Sequence, residues 1–325
     1  MTKSRAKRLT ISLLNLNSDL KFIDPFVTQD GSKRAHVNLK KLGTLWFNTG
    51  TLCNLACENC YIESTPRNDR LSYLRVDEVV PYLEEIAREG HETDEIGLTG
   101  GEPFMNPDIL EIIRSVLERG FSNLVLTNGM RPMMRPAIRS GLIELNTEFR
   151  DKLTIRVSVD HFDQAVHEKE RGSGSWSPMV EGLRWLSENN FQISVAGRTL
   201  WQESEEELRE GFSLFFEESE IGIDAWNLKE LVLFPEMDGL SSVPEITTEC
   251  WDLLGVSPDD MMCASSRMVV KHKGDSKSSV MACTLLAYDS SFNLGSTLME
   301  ASKSVHLNHP HCAKFCVLGG GKCTG

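Results

Sequence analysis

The chain has 325 residues, 40% of them hydrophobic, enough for one large domain or a domain with a smaller companion around an ordinary buried core. A formal charge of −13, from 47 acidic against 34 basic residues, argues against broad nucleic-acid binding, which needs clustered Lys and Arg. No apolar run reaches the length of a membrane span, and the basic start Met1-Thr2-Lys3-Ser4-Arg5 is not followed by a signal-type apolar block, so a cytoplasmic chain away from membranes is expected.

The first 43 residues lack a clear period and contain Asp24-Pro25 and Asp30-Gly31, so they read as an extension packed against the rest of the chain. The first strand signal is the apolar run Thr44-Leu45-Trp46-Phe47-Asn48. Val76, Val79, Val80, Leu83 and Ile86 recur at offsets of three and four and predict an amphipathic helix, followed by a strand over 95–98. A second stripe, Ile109, Ile112, Ile113, Val116 and Leu117, starts after Asn106-Pro107-Asp108 and ends at Arg119-Gly120. Further strands are predicted at Leu124-Val125-Leu126, at Ile155-Arg156-Val157-Ser158-Val159, over 192–199 and over 231–234. Helical patterns lie over 179–186 and 208–216. The acidic stretches Glu203 to Glu207 and Glu217 to Glu220 read as solvated helix faces.

Six strands alternating with helices imply a parallel sheet with too few units for a closed eight-strand barrel. The fold class expected is α/β, a partial (β/α)6 barrel over 44–235, preceded by the 1–43 extension and followed by a cysteine-rich module over 236–325. In such sheets the functional loops leave the carboxyl ends of the strands.

The nine cysteines are polarised: three near the start, six after residue 249, none between. In a reducing compartment clustered cysteines bind metal or do chemistry rather than form disulfides. Cys53, Cys57 and Cys60 have C-x3-C-x2-C spacing immediately after the first strand. Three thiolates from one loop leave one corner of a four-iron cluster without a protein ligand. Closely spaced cysteines also begin structural zinc sites, and that reading stays open on the triplet alone.

Successive strand ends carry Thr99-Gly100-Gly101-Glu102-Pro103, Thr127-Asn128-Gly129 and Ser158-Val159-Asp160. A Gly-Gly pair lets the backbone approach a ligand closely, and a neighbouring carboxylate can accept from an amino group. Taken in order with the cysteine loop, these segments resemble the radical S-adenosylmethionine (radical SAM) superfamily over about residues 44–235. The stretch from Val157 through His167-Glu168-Lys169-Glu170-Arg171-Gly172 to Ser175-Trp176 is most similar to the subgroup with a C-terminal SPASM or twitch domain.

The resemblance implies a [4Fe–4S] cluster on Cys53, Cys57 and Cys60 whose fourth iron is chelated by the amino and carboxylate groups of S-adenosylmethionine. Reductive cleavage then gives methionine and a 5′-deoxyadenosyl radical that abstracts hydrogen from a substrate. On the same basis Gly100, Gly101, Glu102 and Pro103 hold the methionine amino end, and Ser158 and Arg171 match positions that contact ribose or carboxylate, with Asn128 at the third strand end. The family usually places an aromatic residue before the third cysteine to position adenine. Asn59 stands there instead, with Tyr61 just after, so ring packing is lost while backbone contacts from Asn59 stay open to it. Asp160 and His161 are expected at the cavity mouth without a catalytic role.

In the last ninety residues a hairpin is predicted from Met268-Val269-Val270-Lys271 and Ser279-Val280-Met281-Ala282 across Lys273-Gly274-Asp275, flanked by Cys263 and Cys283. Cys312, Cys316 and Cys323 come after it. The arrangement resembles a twitch or shortened SPASM module, which implies one auxiliary [4Fe–4S] cluster drawing four ligands from those five cysteines. A zinc site using Cys312, Cys316 and His309 or His311, or plain buried thiols, are the alternatives; Cys250 stands outside the pattern. The resemblance further implies a low-potential flavodoxin or ferredoxin as electron donor. The substrate expected is a small molecule, with a peptide or protein as the alternative and a non-enzymatic metal-binding scaffold as the rival class.

Overall fold

A computed structural model describes residues 21–235 and 243–321. Ten strands occur among them: β1 (His36–Val37), β2 (Thr44–Asn48), β3 (Glu95–Thr99), β4 (Ser122–Thr127), β5 (Leu153–Asp160), β6 (Gln192–Arg198), β7 (Leu231–Phe234), β8 (Ser266–Val270), β9 (Ser279–Met281) and β10 (Val305–His306). Eight form one sheet in the order β7-β6-β5-β4-β3-β2-β8-β9, while β1 and β10 pair separately. Strands β2 to β7 are parallel, each added on the same side of its predecessor. That ordering keeps every crossover helix on one face, the arrangement of a barrel rather than of a doubly wound sheet. β7 and β9 are its unjoined edges, so the six-unit barrel is open as expected.

The helices between the parallel strands are α1 (Val76–Glu89), α2 (Ile109–Glu118), α3 (Pro136–Glu148), α4 (Gln164–Arg171), α5 (Trp176–Glu188) and α6 (Glu205–Glu218). All five apolar residues of the α2 stripe are buried, and each such Ile, Leu or Val contributes about 1.5–3 kcal/mol over exposure. α2 ends at Arg119, and Gly120 takes φ +89°, the left-handed conformation that stops a helix. The acidic run before α6 opens that helix: Ser204 Oγ accepts from Glu207 N–H while the Glu207 carboxylate accepts from Ser204 N–H, a capping box at the helix's positive end.

Helices α3 and α4 are absent from the periodicity reading. Only Ile138, Leu142, Leu145 and Asn146 of α3 are buried, and in α4 only His167 and Glu170, so neither presents a broad apolar stripe.

The predicted hairpin forms, with Met268 opposite Met281 and Val270 opposite Ser279. It also does something its local sequence does not announce: β8 pairs in parallel with β2, extending the core sheet on the side of the cysteine loop. The segment before β2 is tied to the last third of the chain, since β1 pairs with β10 and Arg34, fully buried, is ion-paired to Glu245 at 2.5 Å. Helices α7 (Cys250–Leu254) and α8 (Met262–Ser265) precede the hairpin, and a π-helical segment, Cys312–Leu318, is the last element described. Cys323 lies outside the described residues. No helix among them is long and apolar enough to cross a membrane.

Candidate active site and a second cysteine centre

The carboxyl ends of β2 to β6 border a cavity of about 220 Å³. Cys53, Cys57 and Cys60 form one wall, with Gly100, Gly101, Asn128, Ser158, Asp160 and Arg171 around the rest. The loop carrying the cysteines is fixed at both ends: Cys53 N–H donates to Thr65 O at 3.2 Å, and Glu58 N–H to Glu170 O at 2.9 Å. Backbone amides already point at two sulfurs, Leu55 N–H to Cys53 Sγ at 3.4 Å and Ser64 N–H to Cys60 Sγ at 3.3 Å. Burial pushes the Cys53 thiol up to about 12 and raises Cys57, the latter opposed by the Arg171 guanidinium. Such thiols are inert as free acids but suit a metal group that displaces their protons.

Gly100 and Gly101 are demanded by sterics. Gly100 has φ +149°, and a Cβ there would lie 2.5 Å from Gly50 O; one on Gly101 would lie 2.2 Å from Leu52 O. The third strand end is laced to the second through Glu102. This wholly buried carboxylate accepts from Thr127 Oγ1 at 2.9 and 3.0 Å, from Asn128 N–H at 2.9 Å and from Phe104 N–H at 3.1 Å. Glu102 and Pro103 are not among the residues that line the cavity, whereas the adjoining Gly100 and Gly101 are. Burial pushes the Glu102 carboxyl up to about 7. Asn128 lines the cavity, its Nδ2 donating to Asn54 Oδ1 at 2.9 Å.

The register of β5 against β6 shifts between Ser158 and Asp160, and Asp160 takes φ +65°. This bulge turns Asp160 onto Arg171, whose Nε lies 2.7 Å from Asp160 Oδ2 at the end of α4. His161 is held apart from the cavity by Phe162, Trp201 and Glu203. His167 Nδ1 lies 2.7 Å from Val159 O, and burial lowers its pKa to about 4, so it is a neutral packing residue.

Two residues without a sequence-based role complete the wall. Glu170 accepts from Asn59 N–H at 2.9 Å and Asn59 Nδ2 at 2.7 Å, and pairs with Arg198 at 3.2 Å. Arg198 also donates to Asn59 O at 2.8 Å and lies 4.7 Å over the Tyr61 ring. The Asn59 N–H is thus engaged within the protein, while its carbonyl, holding one donor from Arg198, keeps a second lone pair. Glu170 stands in the α4 segment that carried the resemblance, but nothing local in the sequence marks its partners.

A second, smaller cavity of about 20 Å³ is lined by Cys263, Cys283, Cys312 and Cys316, together with His311 and apolar side chains such as Met262, Leu286 and Phe292. The hairpin delivers Cys283, α8 delivers Cys263, and the π-helical spacing sets Cys312 and Cys316 on one side of a turn. Burial pushes Cys263 up to about 12 and Cys312 well above its ordinary value. Cys250 does not border this cavity and accepts from Thr247 N–H at 3.4 Å. Leu285 lines both cavities. Among the described residues no three or more His, Cys, Asp or Glu side chains converge closely enough to hold one metal ion; the thiols stand around cavities instead.

An open parallel α/β barrel with a three-cysteine loop at the mouth of its first strand defines the radical SAM class of protein. The sequence pattern of the radical SAM superfamily matches residues 47–214, and the chain belongs to that superfamily. It is 30% identical over 145 residues to the antilisterial bacteriocin subtilosin biosynthesis protein AlbA of Bacillus subtilis (strain 168), covering 44% of this chain and 30% of that protein. Against the AdoMet-dependent heme synthase of Methanosarcina barkeri the identity is 28% over 181 residues, 55% of this chain and 48% of that one. The chain thus spans less than half the length of either relative. The crystal structure of Streptococcus suis SuiB bound to S-adenosylmethionine shares the fold, with TM-score 0.57 and 13% identity over 79% of this chain and 63% of that one.

Proposed function

We propose that this chain is a radical SAM enzyme with a [4Fe–4S] cluster on Cys53, Cys57 and Cys60, S-adenosylmethionine in the large cavity, and a SPASM/twitch-like auxiliary [4Fe–4S] cluster on Cys263, Cys283, Cys312 and Cys316. The observation that carries the reading is the meeting of three thiols with Gly100, Gly101, Asn128, Ser158 and Arg171 on the wall of one cavity. The donor set fits: three sulfurs from one loop leave an iron open, and two already receive backbone N–H donors. When bound, the cluster and S-adenosylmethionine supply reductive cleavage to methionine and a 5′-deoxyadenosyl radical that abstracts hydrogen.

The chain's own contribution is binding and orientation. Gly100 and Gly101 keep the second strand end free of side chains, and Asn128 and Ser158 offer polar contacts. Arg171, fixed by Asp160, presents a fork of donors suited to a carboxylate or to hydroxyls. Glu102 serves as the brace between two strand ends. Leu285 and Phe315 give the cavity an apolar side next to the auxiliary cysteines, which supports a role for that centre toward the substrate.

The substrate in the leading reading is a small molecule, supported by the likeness to a heme synthase. A peptide side chain is the second reading, supported by the likeness to AlbA, named for bacteriocin biosynthesis. A low-potential flavodoxin or ferredoxin is the proposed electron donor, and 1–43, 44–235 and 236–325 are the proposed functional divisions. Anaerobic reconstitution tests the two-cluster assignment: about eight irons and eight sulfides per chain are expected, falling to about four when Cys53, Cys57 and Cys60 are all replaced by Ala. Stoichiometric zinc in place of iron would refute it.

A further inference from the structure

Arg267, in β8, is 1% exposed and among the largest fully buried side chains. Its hydrogen bonds all go to backbone carbonyls: Nε to Ala301 O at 2.9 Å, Nη1 to Cys263 O at 2.6 Å and Ser266 O at 2.7 Å, and Nη2 to Lys303 O at 3.3 Å. Carbonyls satisfy the N–H groups but carry no formal charge, and a guanidinium does not shed its proton in a protein. Three other buried arginines sit against carboxylates, Arg34 with Glu245, Arg198 with Glu170 and Arg209 with Glu205, as does the half-buried Arg171 with Asp160, while buried Arg156 donates its Nε to Ser194 Oγ. Among the described residues no carboxylate pairs with Arg267. A buried cation without a counter-charge is costly, because the interior cannot screen it as water does.

Arg267 stands directly beside the small cavity: its Nη1 donates to the carbonyl of Cys263 at 2.6 Å, and Cys263 and Cys283 are two of the four cysteines that line that cavity. As neutral thiols they leave the guanidinium uncompensated. As metal-bound thiolates they supply the negative charge that is missing. We infer that Arg267 is the built-in counter-charge of the auxiliary centre, so that the fold is electrostatically balanced when Cys263, Cys283, Cys312 and Cys316 hold an anionic metal–thiolate group and unbalanced when they do not. The inference rests on the auxiliary-centre reading of those four cysteines. It has two consequences: the fixed cation favours the reduced, more negative form of a redox-active group, and the metal-free protein bears an electrostatic burden that the loaded protein lacks.

The test uses the full chain, reconstituted anaerobically, as wild type, R267M, R267Q and R267K. R267M removes charge and donors, R267Q keeps donors without charge, and R267K keeps charge without the fork. Electron paramagnetic resonance during redox titration is expected to show the auxiliary centre of R267M and R267Q at least tenfold harder to reduce, a drop of about 59 mV for a one-electron couple. R267K should stay close to wild type, and the Cys53 centre should not move. In parallel, R267M should lower the unfolding temperature of the loaded protein more than that of the metal-free protein, since the loss of its donors to backbone carbonyls is common to both. If R267M does not accumulate, R267Q against R267K carries the same comparison. An unmoved potential, with stability lost equally in loaded and metal-free protein, would make Arg267 a merely structural residue and overturn the proposal alone. A wild type that binds metal only at Cys53, Cys57 and Cys60 would overturn the auxiliary centre itself, and this inference with it.

Discussion

The carboxylate of Glu170 grips Asn59 twice, accepting from its backbone N–H at 2.9 Å and from its side-chain amide at 2.7 Å. Asn59 occupies the position just before the third cysteine of the loop, where the superfamily resemblance leads one to expect an aromatic ring. Here the residue does a different job: with Glu170 and Arg198 it bolts the cysteine loop to α4 and β6. The ring near the cavity is supplied by Tyr61, held under Arg198 and edge-on to Phe315.

Breaking that clamp should be expensive. Glu170→Ala leaves the Arg198 guanidinium buried without its carboxylate, an expected loss of about 3–5 kcal/mol. Glu170→Gln keeps the shape and one acceptor and should lose less. Thermal unfolding measures the stability, and the rate at which a chelator strips iron from the loaded protein should rise in the order wild type, Gln, Ala. Equal stripping rates would mean that the clamp does not hold the loop.

Glu102 makes stability depend on pH. Its folded-state pKa, about 7, lies above the ordinary 4.5, so the folded form binds the proton more tightly. The stabilisation is fully present below 4.5 and is lost as pH rises toward 7, by up to about 1.4 kcal/mol per unit in that window. Subtracting the Glu102→Gln profile from wild type, with denaturant unfolding at each pH, should leave a curve that falls between these limits. A flat difference would show that the hydrogen bonds from Asn128, Phe104 and Thr127 cancel the effect of burial.

At Gly101 a single methyl should be enough to disturb the loop. The new Cβ meets Leu52 O at 2.2 Å, backbone that cannot rotate away, directly beside Cys53. Gly101→Ala is expected to destabilise by about 1–3 kcal/mol or more and to lower iron retention at the first centre, read by unfolding and metal analysis.

The late cysteines should sort into two groups. Replacing Cys263 and Cys283 together is expected to remove about half of the bound iron. Cys250→Ser should leave the metal content at the wild-type value, because that sulfur belongs to a turn with Thr247. Iron and sulfide analysis of matched preparations decides it.

The core strands are legible in the sequence because runs such as Leu45-Trp46-Phe47 and Leu124-Val125 are buried, and α1 and α2 because their stripes are broad. α3 is not, since Gly141 and polar neighbours thin its buried face, nor is α4, whose buried residues are a His and a Glu. The β2 to β8 pairing is hidden for another reason: it joins segments more than two hundred positions apart, and nothing within either announces the other. The same divide runs through the site. Cys53, Cys57, Cys60 and the Gly100-Gly101 pair declare themselves by spacing, whereas Glu170, Arg198 and Arg267 acquire meaning only through partners distant in the chain. Glu102 is conspicuous in its motif, but its bond to the next strand end, through Thr127 and Asn128, shows only in the fold.

The central claim is that the Cys53 loop and the cavity beside it cleave S-adenosylmethionine reductively. The most direct test is the release of 5′-deoxyadenosine, measured by chromatography, from anaerobically reconstituted, dithionite-reduced protein given S-adenosylmethionine. Release is predicted from the wild type, and none above background from Cys57→Ala. A wild type fully loaded with iron and sulfide that releases no 5′-deoxyadenosine would contradict it.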